Sequence, residues 1–139
     1  MPITFRTPLP NIDHPRMEAD VVIVGGGPAG MAAALRLSQL IDAHNLQHPD
    51  AQLSKENIYL LEKAREVGQH MLSGALLDPR AMDELLPNWK SEAPVEAEVD
   101  KESFYLLSEN KALKSPLVPP PLRDHGNYVI SLNKFIKWM

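Results

Sequence analysis

A glycine-rich turn between an apolar strand and a helix constrains this chain more than any other feature. Residues 25–30 read Gly-Gly-Gly-Pro-Ala-Gly and fit the pattern G-x-G-x-x-G. The β-branched run at 20–24 predicts a strand buried on both faces, as in a parallel sheet. Apolar side chains at three- and four-residue spacing predict a helix at 31–44, and a second apolar run predicts a strand at 58–62. This order of elements predicts a Rossmann-like βαβ unit, and the fold class is therefore α/β.

The three spaced glycines of the turn each meet a different steric demand of a bound dinucleotide. Gly25 permits the tight turn, Gly27 lets a pyrophosphate approach the backbone, and Gly30 lets the helix pack closely against the strand. With Pro28 and Ala29 they form the turn that leads into the helix, and the free amide groups and partial positive charge of the helix N-terminus favour phosphates. The alternative is a glycine-rich turn that holds no ligand.

Glu62 ends the second predicted strand, where a carboxylate can accept hydrogen bonds from both hydroxyls of an adenosine ribose. It follows Gly30 by 32 residues, whereas the usual interval is about 20. The polar connection at 46–57 accounts for the excess as an insertion. A carboxylate repels a 2′-phosphate, so NADP is not the expected dinucleotide. The fingerprint alone does not separate FAD from NAD, and a solvated glutamate beside Lys63 is the other interpretation.

Composition excludes several classes of function. The 139 residues include no cysteine, which excludes disulfides, thiolate metal sites, an iron–sulfur cluster ligated within this chain and a cysteine nucleophile. Fourteen basic residues against eighteen acidic ones give a formal net charge of −4, so no nucleic acid is expected as a partner. The five histidines show no metal-ligand spacing, and no metal site is predicted.

The chain divides into an N-terminal arm at 1–19, which its prolines make irregular, and one domain at 20–139. The elements predicted after the βαβ unit are a helix at 79–86 with Asp78 as its N-cap, an acidic surface loop at 91–100, a strand at 104–107 with a hairpin partner at 111–113, a strand at 128–130 and a helix at 132–139. The sequence stops inside that last helix without a capping residue, which indicates the N-terminal fragment of a longer protein. No run reaches the length of a membrane span, and residues 1–20 resemble neither a signal nor a transit peptide.

A resemblance to known families narrows the choice of cofactor. The stretches at 22–30 and 61–63 resemble the FAD-binding start of glutathione-reductase-type flavoproteins. More particular stretches, at 62–80, 84–90 and 125–128, resemble electron transfer flavoprotein–ubiquinone oxidoreductase. This second resemblance covers almost the whole chain.

The resemblance implies FAD as the cofactor. The residues expected to bind it are Gly25, Gly27, Pro28, Ala29, Gly30, Glu62, Lys63, Ser73 and Gly74. It also implies that electrons pass from reduced electron transfer flavoprotein through FAD and a [4Fe-4S] cluster to ubiquinone, with the cluster in a C-terminal part beyond this chain. Because the isoalloxazine carries the redox chemistry, no catalytic side chain is predicted. His70 is a candidate contact for FAD or quinone.

In this family, the stretch that matches 68–89 belongs to a surface that dips into the membrane. The apolar run at 71–77 is too short to span a bilayer, and Trp89 has the character of an interfacial anchor. Ordinary core packing is the alternative. A peripheral protein on the cytoplasmic face of a bacterial inner membrane is therefore expected. Two other functions stay open: a related flavin reductase or monooxygenase that uses NAD(P)H, and an inert truncation that binds no flavin.

Overall fold

The computed structural model describes residues 16–72 and 74–139, so most of the predicted arm at 1–19 lies outside the described residues. The elements of this part are, in order, β1 (Val21–Val24), α1 (Pro28–Gln47), β2 (Ile58–Leu61), β3 (Ala75–Leu77), α2 (Arg80–Leu85), α3 (Trp89–Glu92), β4 (Val95–Glu98), β5 (Tyr105–Ser108), β6 (Lys111–Lys114), a 3-10 turn (Pro120–Leu122), β7 (Tyr128–Ile130) and α4 (Leu132–Trp138). Within these residues the strands form a parallel pair, an antiparallel three-stranded sheet and a separate hairpin.

β1, α1 and β2 form the predicted βαβ unit. β1 and β2 pair in parallel, with Val21 opposite Ile58 and Val24 opposite Leu61. α1 connects the two strands and packs against β1. The predicted α/β class with a Rossmann-like start is therefore confirmed.

α1 is longer at both ends than the apolar spacing predicts. It begins at Pro28 because proline fits the first position of a helix, where its fixed φ is suitable and an N–H would have no helical acceptor. It ends at Gln47, and its last turn is tied to the connection that follows. Asn45 donates through Nδ2 to the backbone O of Leu53 at 2.9 Å and accepts the Leu53 N–H through Oδ1 at 2.7 Å.

The prediction that β1 is buried on both faces is wrong. Val22 is 49% exposed and Val24 is 83% exposed. Within the described residues β1 pairs with β2 alone, so its second edge is open. A continuous apolar run is typical of an interior strand of a parallel sheet. Within the described residues, however, β1 has a neighbouring strand on one side only.

The antiparallel sheet has the order β3-β7-β4, and β4 lies where the acidic content at 91–100 predicts a surface loop. That prediction is wrong because Val95 and Ala97 alternate with acidic residues, which suits an edge strand with one solvated face. Val95 pairs with Ile130, and the register shifts between Val95 and Ala97. The shift is typical of a bulge at a sheet edge.

The main core lies between this sheet, α2 and α4, and Trp89 is at its centre. Trp89 is 1% exposed, and its ring meets those of Tyr128 and Phe135 edge-on at centroid distances of 5.2 and 6.1 Å. Its indole Nε1 donates to Asp83 Oδ1 at 2.8 Å. The prediction of Trp89 as an interfacial anchor is therefore wrong, because its apolar rings and its polar group are both satisfied inside the protein.

The remaining predicted elements are present with small shifts in their bounds. α2 begins at Arg80, and Pro79, which precedes it, already has helical dihedrals. Asp78 Oδ1 accepts the Arg80 N–H at 3.1 Å, which is the hydrogen bond expected of a capping side chain at Asp78. The hairpin of β5 and β6 (the β5–β6 hairpin) and the last strand and helix also lie close to where the sequence predicts them. All eight residues of the hairpin strands are exposed.

Candidate dinucleotide-binding site

The glycine turn joins the end of β1 to the start of α1 under tight steric limits. Gly25 has a φ of +105°, a conformation that side chains disfavour. Its N–H donates to the backbone O of Leu61 at 2.7 Å, which fixes the turn to the end of β2. A Cβ on Gly30 would lie 1.9 Å from the backbone O of Gly25. These two glycines meet the steric demands that the fingerprint predicts, and their role toward a cofactor stays a prediction.

Gly27 lies beside open space at the N-terminus of α1. A Cβ on Gly27 would have Met71 Cε at 3.5 Å, an ordinary contact, and no other heavy atom of the described residues within 4 Å. α1 has no side-chain cap hydrogen bond and no acidic residue in its first turn. Ala29 therefore lies in a first turn whose partial positive charge is available to an anion. This arrangement fits a pyrophosphate, because α1 itself places neither a capping side chain nor an acidic residue in its first turn.

The Glu62 carboxylate connects the end of β2 to the glycine turn. Its Oε2 accepts the Gly26 N–H at 2.8 Å, and its Oε1 accepts the Ala64 N–H at 2.8 Å. These two backbone donors, Ala64 first, lower the pKa of Glu62, and His70 adds a smaller electrostatic attraction. Glu62 is therefore ionised near neutral pH and held in place, which favours the predicted ribose acceptor over a freely solvated side chain.

Two apolar residues after Glu62, Val67 and Met71, line the turn, although neither is among the residues predicted to bind a cofactor. Val67 Cγ1 would lie 3.3 Å from a Cβ on Gly26, and Met71 Cε is the neighbour of Gly27. Neither residue has a fixed spacing from the fingerprint. Both lie in the stretch at 62–80 that carries the family resemblance, which gives them no specific role at the turn.

The other predicted cofactor residues lie outside this cluster or outside the described residues. Lys63 follows Glu62 with an exposed side chain. Gly74 is exposed, with a φ of +85°, and a Cβ there would meet no heavy atom of the described residues within 4 Å. Ser73 lies outside the described residues. The structure therefore joins residues 25–30 with Glu62, and it does not add Gly74 to them.

A mostly apolar cleft of about 370 Å³ lies on another side of α1. Its lining includes Pro28, Ala32 and Arg36 of α1, with apolar residues of α2 and α4 opposite. An apolar lining does not suit a phosphate, so this cleft is not a candidate for the pyrophosphate.

A parallel βαβ unit with a G-x-G-x-x-G turn and a carboxylate at the end of its second strand is the arrangement of a Rossmann-like dinucleotide-binding unit. No protein-family model matches the chain. The chain is 45% identical to a probable electron transfer flavoprotein-ubiquinone oxidoreductase of Acinetobacter baylyi, over 92% of this chain and 22% of the relative. It is 47% identical to the mitochondrial electron transfer flavoprotein-ubiquinone oxidoreductase of Oryza sativa subsp. japonica and 43% identical to that of Homo sapiens, over 88% and 93% of this chain and 20% of each relative.

The family resemblance seen in the sequence is thereby confirmed, and the chain belongs to the electron transfer flavoprotein–ubiquinone oxidoreductases, a family of oxidoreductases. It spans about a fifth of the length of these curated relatives.

Proposed function

We propose that this chain forms the FAD-binding start of an enzyme that transfers electrons from reduced electron transfer flavoprotein to ubiquinone. The observation that carries the proposal is the Glu62 carboxylate, which bridges the amides of Gly26 and Ala64 beside an open helix N-terminus. The printed names of the relatives supply the two partners. The same names favour this function over a related reductase or monooxygenase that uses NAD(P)H.

Each residue of the site has a separate task in holding FAD. The first turn of α1, at Ala29 and Gly30, directs its amides toward the pyrophosphate, and Gly27 leaves space for it. Glu62 accepts hydrogen bonds from the adenosine ribose. FAD, when bound, supplies the redox chemistry. The chain orients the cofactor, and we assign no acid or base to the described residues.

The [4Fe-4S] cluster implied by the family is proposed for a part of the enzyme beyond these residues. Cluster iron is held mainly by cysteine thiolates, and the chain contains no cysteine. The part that we propose for this chain in electron transfer is therefore limited to holding the flavin.

We also propose contact with a membrane surface, on the cytoplasmic side of a bacterial inner membrane. In residues 16–72 and 74–139, no helix combines the length and the apolar character that crossing a bilayer requires. In the segment at 68–89, Leu72 is 88% exposed and Leu76 is 50% exposed. The β5–β6 hairpin also exposes leucines, with Leu107 at 78% and Leu113 at 66%. We keep the segment at 68–89 as the proposed membrane contact, and we propose that its exposed leucines, rather than the buried Trp89, meet the membrane.

Ligand titration of the purified 139-residue chain tests the flavin proposal. FAD, FMN and NADP⁺ are added separately, and binding is followed by flavin fluorescence or calorimetry. Binding of FAD with much weaker binding of FMN is expected, because FMN lacks the adenosine that Glu62 and the turn would hold. Equal binding of FAD and FMN would contradict the assigned site. Binding of neither flavin would support the inert alternative for this chain.

A further inference from the structure

α4 and the segment that follows β2 are joined by two polar contacts. Asn133 Nδ2, in the first turn of α4, donates to the backbone O of Gly68 at 2.7 Å across 65 residues of sequence. In the last turn of α4, Lys137 Nζ pairs with Glu66 Oε2 at 2.7 Å, and this contact lowers the pKa of the Glu66 carboxyl. α4 therefore holds this segment at two neighbouring points.

Gly68 lies directly against the backbone of α4. It is buried, and its φ of +81° lies in the region that favours glycine. A Cβ on Gly68 would lie 3.1 Å from the backbone O of Asn133. The two backbones are thus in contact without an intervening side chain, so a change at Asn133 acts directly on the backbone of the segment.

The same segment forms a wall of the glycine turn. It begins at Glu62, which accepts the Gly26 N–H. It continues through Val67 and Met71, whose side chains lie 3.3 and 3.5 Å from the positions of a Cβ on Gly26 and on Gly27. The width of the space beside the turn therefore depends on where residues 62–71 are held.

We propose that Asn133 is a positioning residue for the dinucleotide site. By holding Gly68, it keeps residues 62–71 at the distance from the glycine turn that the ribose and the pyrophosphate need, an inference that rests on the function proposed above. Asn133 is half-buried, whereas Lys137 and Glu66 are exposed. The amide is the stronger anchor, because water and ions screen an exposed ion pair.

Asn133→Asp is the test variant, because it keeps the size of the side chain and removes the donor. Gln39→Glu is the matched control. Gln39 Nε2, also half-buried, donates to the backbone O of Leu85 at 2.8 Å, so the same change of amide to carboxylate removes a similar bond between α1 and α2. Two quantities are measured in the 139-residue chain: hydrogen exchange of the Gly26 and Ala64 amides without ligand, and the affinity for FAD.

Asn133→Asp is expected to accelerate exchange at both amides and to weaken FAD binding, each by about fivefold, the effect of losing one ordinary hydrogen bond. Gln39→Glu is expected to leave both quantities near their original values. Equal effects of the two variants, or no effect of Asn133→Asp, would overturn the proposal. If Asn133→Asp does not fold, Asn133→Ala is measured in the same way. If the unchanged chain binds no FAD, the proposed function fails, and the exchange rates still decide whether Asn133 positions the segment.

Discussion

Gly30 lies so close to Gly25 that a Cβ on Gly30 would be 1.9 Å from the backbone O of Gly25. Backbone atoms of the protein itself therefore exclude a side chain at Gly30. At Gly27 the only described heavy atom within 4 Å of a Cβ is Met71 Cε, at 3.5 Å. The fingerprint thus contains one glycine that folding requires and another that is free to serve a ligand, so substitutions can separate folding from binding.

Gly30→Ala is expected to destabilise the fold. The added methyl group must displace the start of α1 from the turn, at a cost of about 1–3 kcal/mol. The unfolding midpoint in urea should fall clearly below that of the unchanged chain. Gly27→Ala serves as the control and should change the midpoint little. A similar midpoint for Gly30→Ala would contradict the close contact between Gly30 and the backbone O of Gly25.

Gly27→Val is expected to abolish FAD binding while the fold is retained. The backbone of Gly27 is extended, with φ −81° and ψ −176°, which valine adopts readily. Its methyl groups would occupy the space that we assign to the pyrophosphate. Circular dichroism checks the fold, and the flavin absorbance of the purified variant measures occupancy. Full flavin occupancy would place the pyrophosphate elsewhere.

Glu62→Gln is expected to weaken FAD binding by roughly tenfold or more, since hydrogen bonds to a charged acceptor are lost. The amide oxygen accepts, but its NH₂ group cannot accept the N–H of Gly26 or Ala64. The flavin spectrum should not change, because the ribose is remote from the isoalloxazine. Calorimetric titration measures the affinity. An unchanged affinity would contradict the ribose assignment.

The pH dependence of FAD binding checks the same carboxylate. The backbone donors lower the pKa of Glu62 below its usual value of 4.5. The bonds to the charged form are therefore complete above that value and are lost as the pH falls through the lowered pKa. Affinity should be constant near neutral pH and decline only in acid. The decline of FAD affinity in acid should be smaller in Glu62→Gln, because glutamine does not titrate.

Acid is also expected to weaken the start of α2. Hydrogen bonds from the Arg80 side chain and backbone lower the pKa of Asp78 from 3.8 to about 2. Because the pKa is lowered in the folded chain, this contribution to stability is complete above 3.8 and is lost as the pH falls toward 2. In Asp78→Asn, the thermal midpoint should depend less on pH in this window. The effect is small, because the pair is exposed, and parallel curves for both proteins would contradict it.

Local sequence pattern predicts the βαβ unit, its glycine turn and Glu62. The burial of Trp89 and the formation of β4, in contrast, depend on contacts between residues that are distant in sequence. The turn at 25–30 and Glu62 are recognisable because each has a fixed place relative to its own strand. The burial of Trp89 depends on Tyr128 and Phe135, which follow it by about 40 residues, so an apolar aromatic near an apolar run does not distinguish a core from an interface.

The same limit applies to β4 and to Asn133. β4 forms because β7 supplies its backbone partners, and four residues with two glutamates give no strong signal alone. Asn133 lies 65 residues from its acceptor, Gly68. No periodicity or spacing connects those two positions before the chain is folded.

Replacing Leu72 and Leu76 together with serine is expected to weaken membrane binding without unfolding the chain. Both side chains are at least half exposed, so their loss leaves no cavity in the core. Leu77 is kept because it packs against the core around Trp89. Full burial of a leucine in an apolar phase gives about 1.5–3 kcal/mol, so the double variant should bind vesicles at least about tenfold more weakly.

The double variant Leu107→Ser with Leu113→Ser is the matched control, because it removes two leucines of comparable exposure from the β5–β6 hairpin. Sedimentation with vesicles of phosphatidylcholine and phosphatidylglycerol measures binding of both variants and of the unchanged chain. A loss of binding confined to the first variant supports the segment at 68–89 as the membrane contact. A loss confined to the hairpin variant would contradict that assignment and move the contact to the β5–β6 hairpin. Unchanged binding of the Leu72 and Leu76 variant would likewise contradict the segment at 68–89 as the membrane contact.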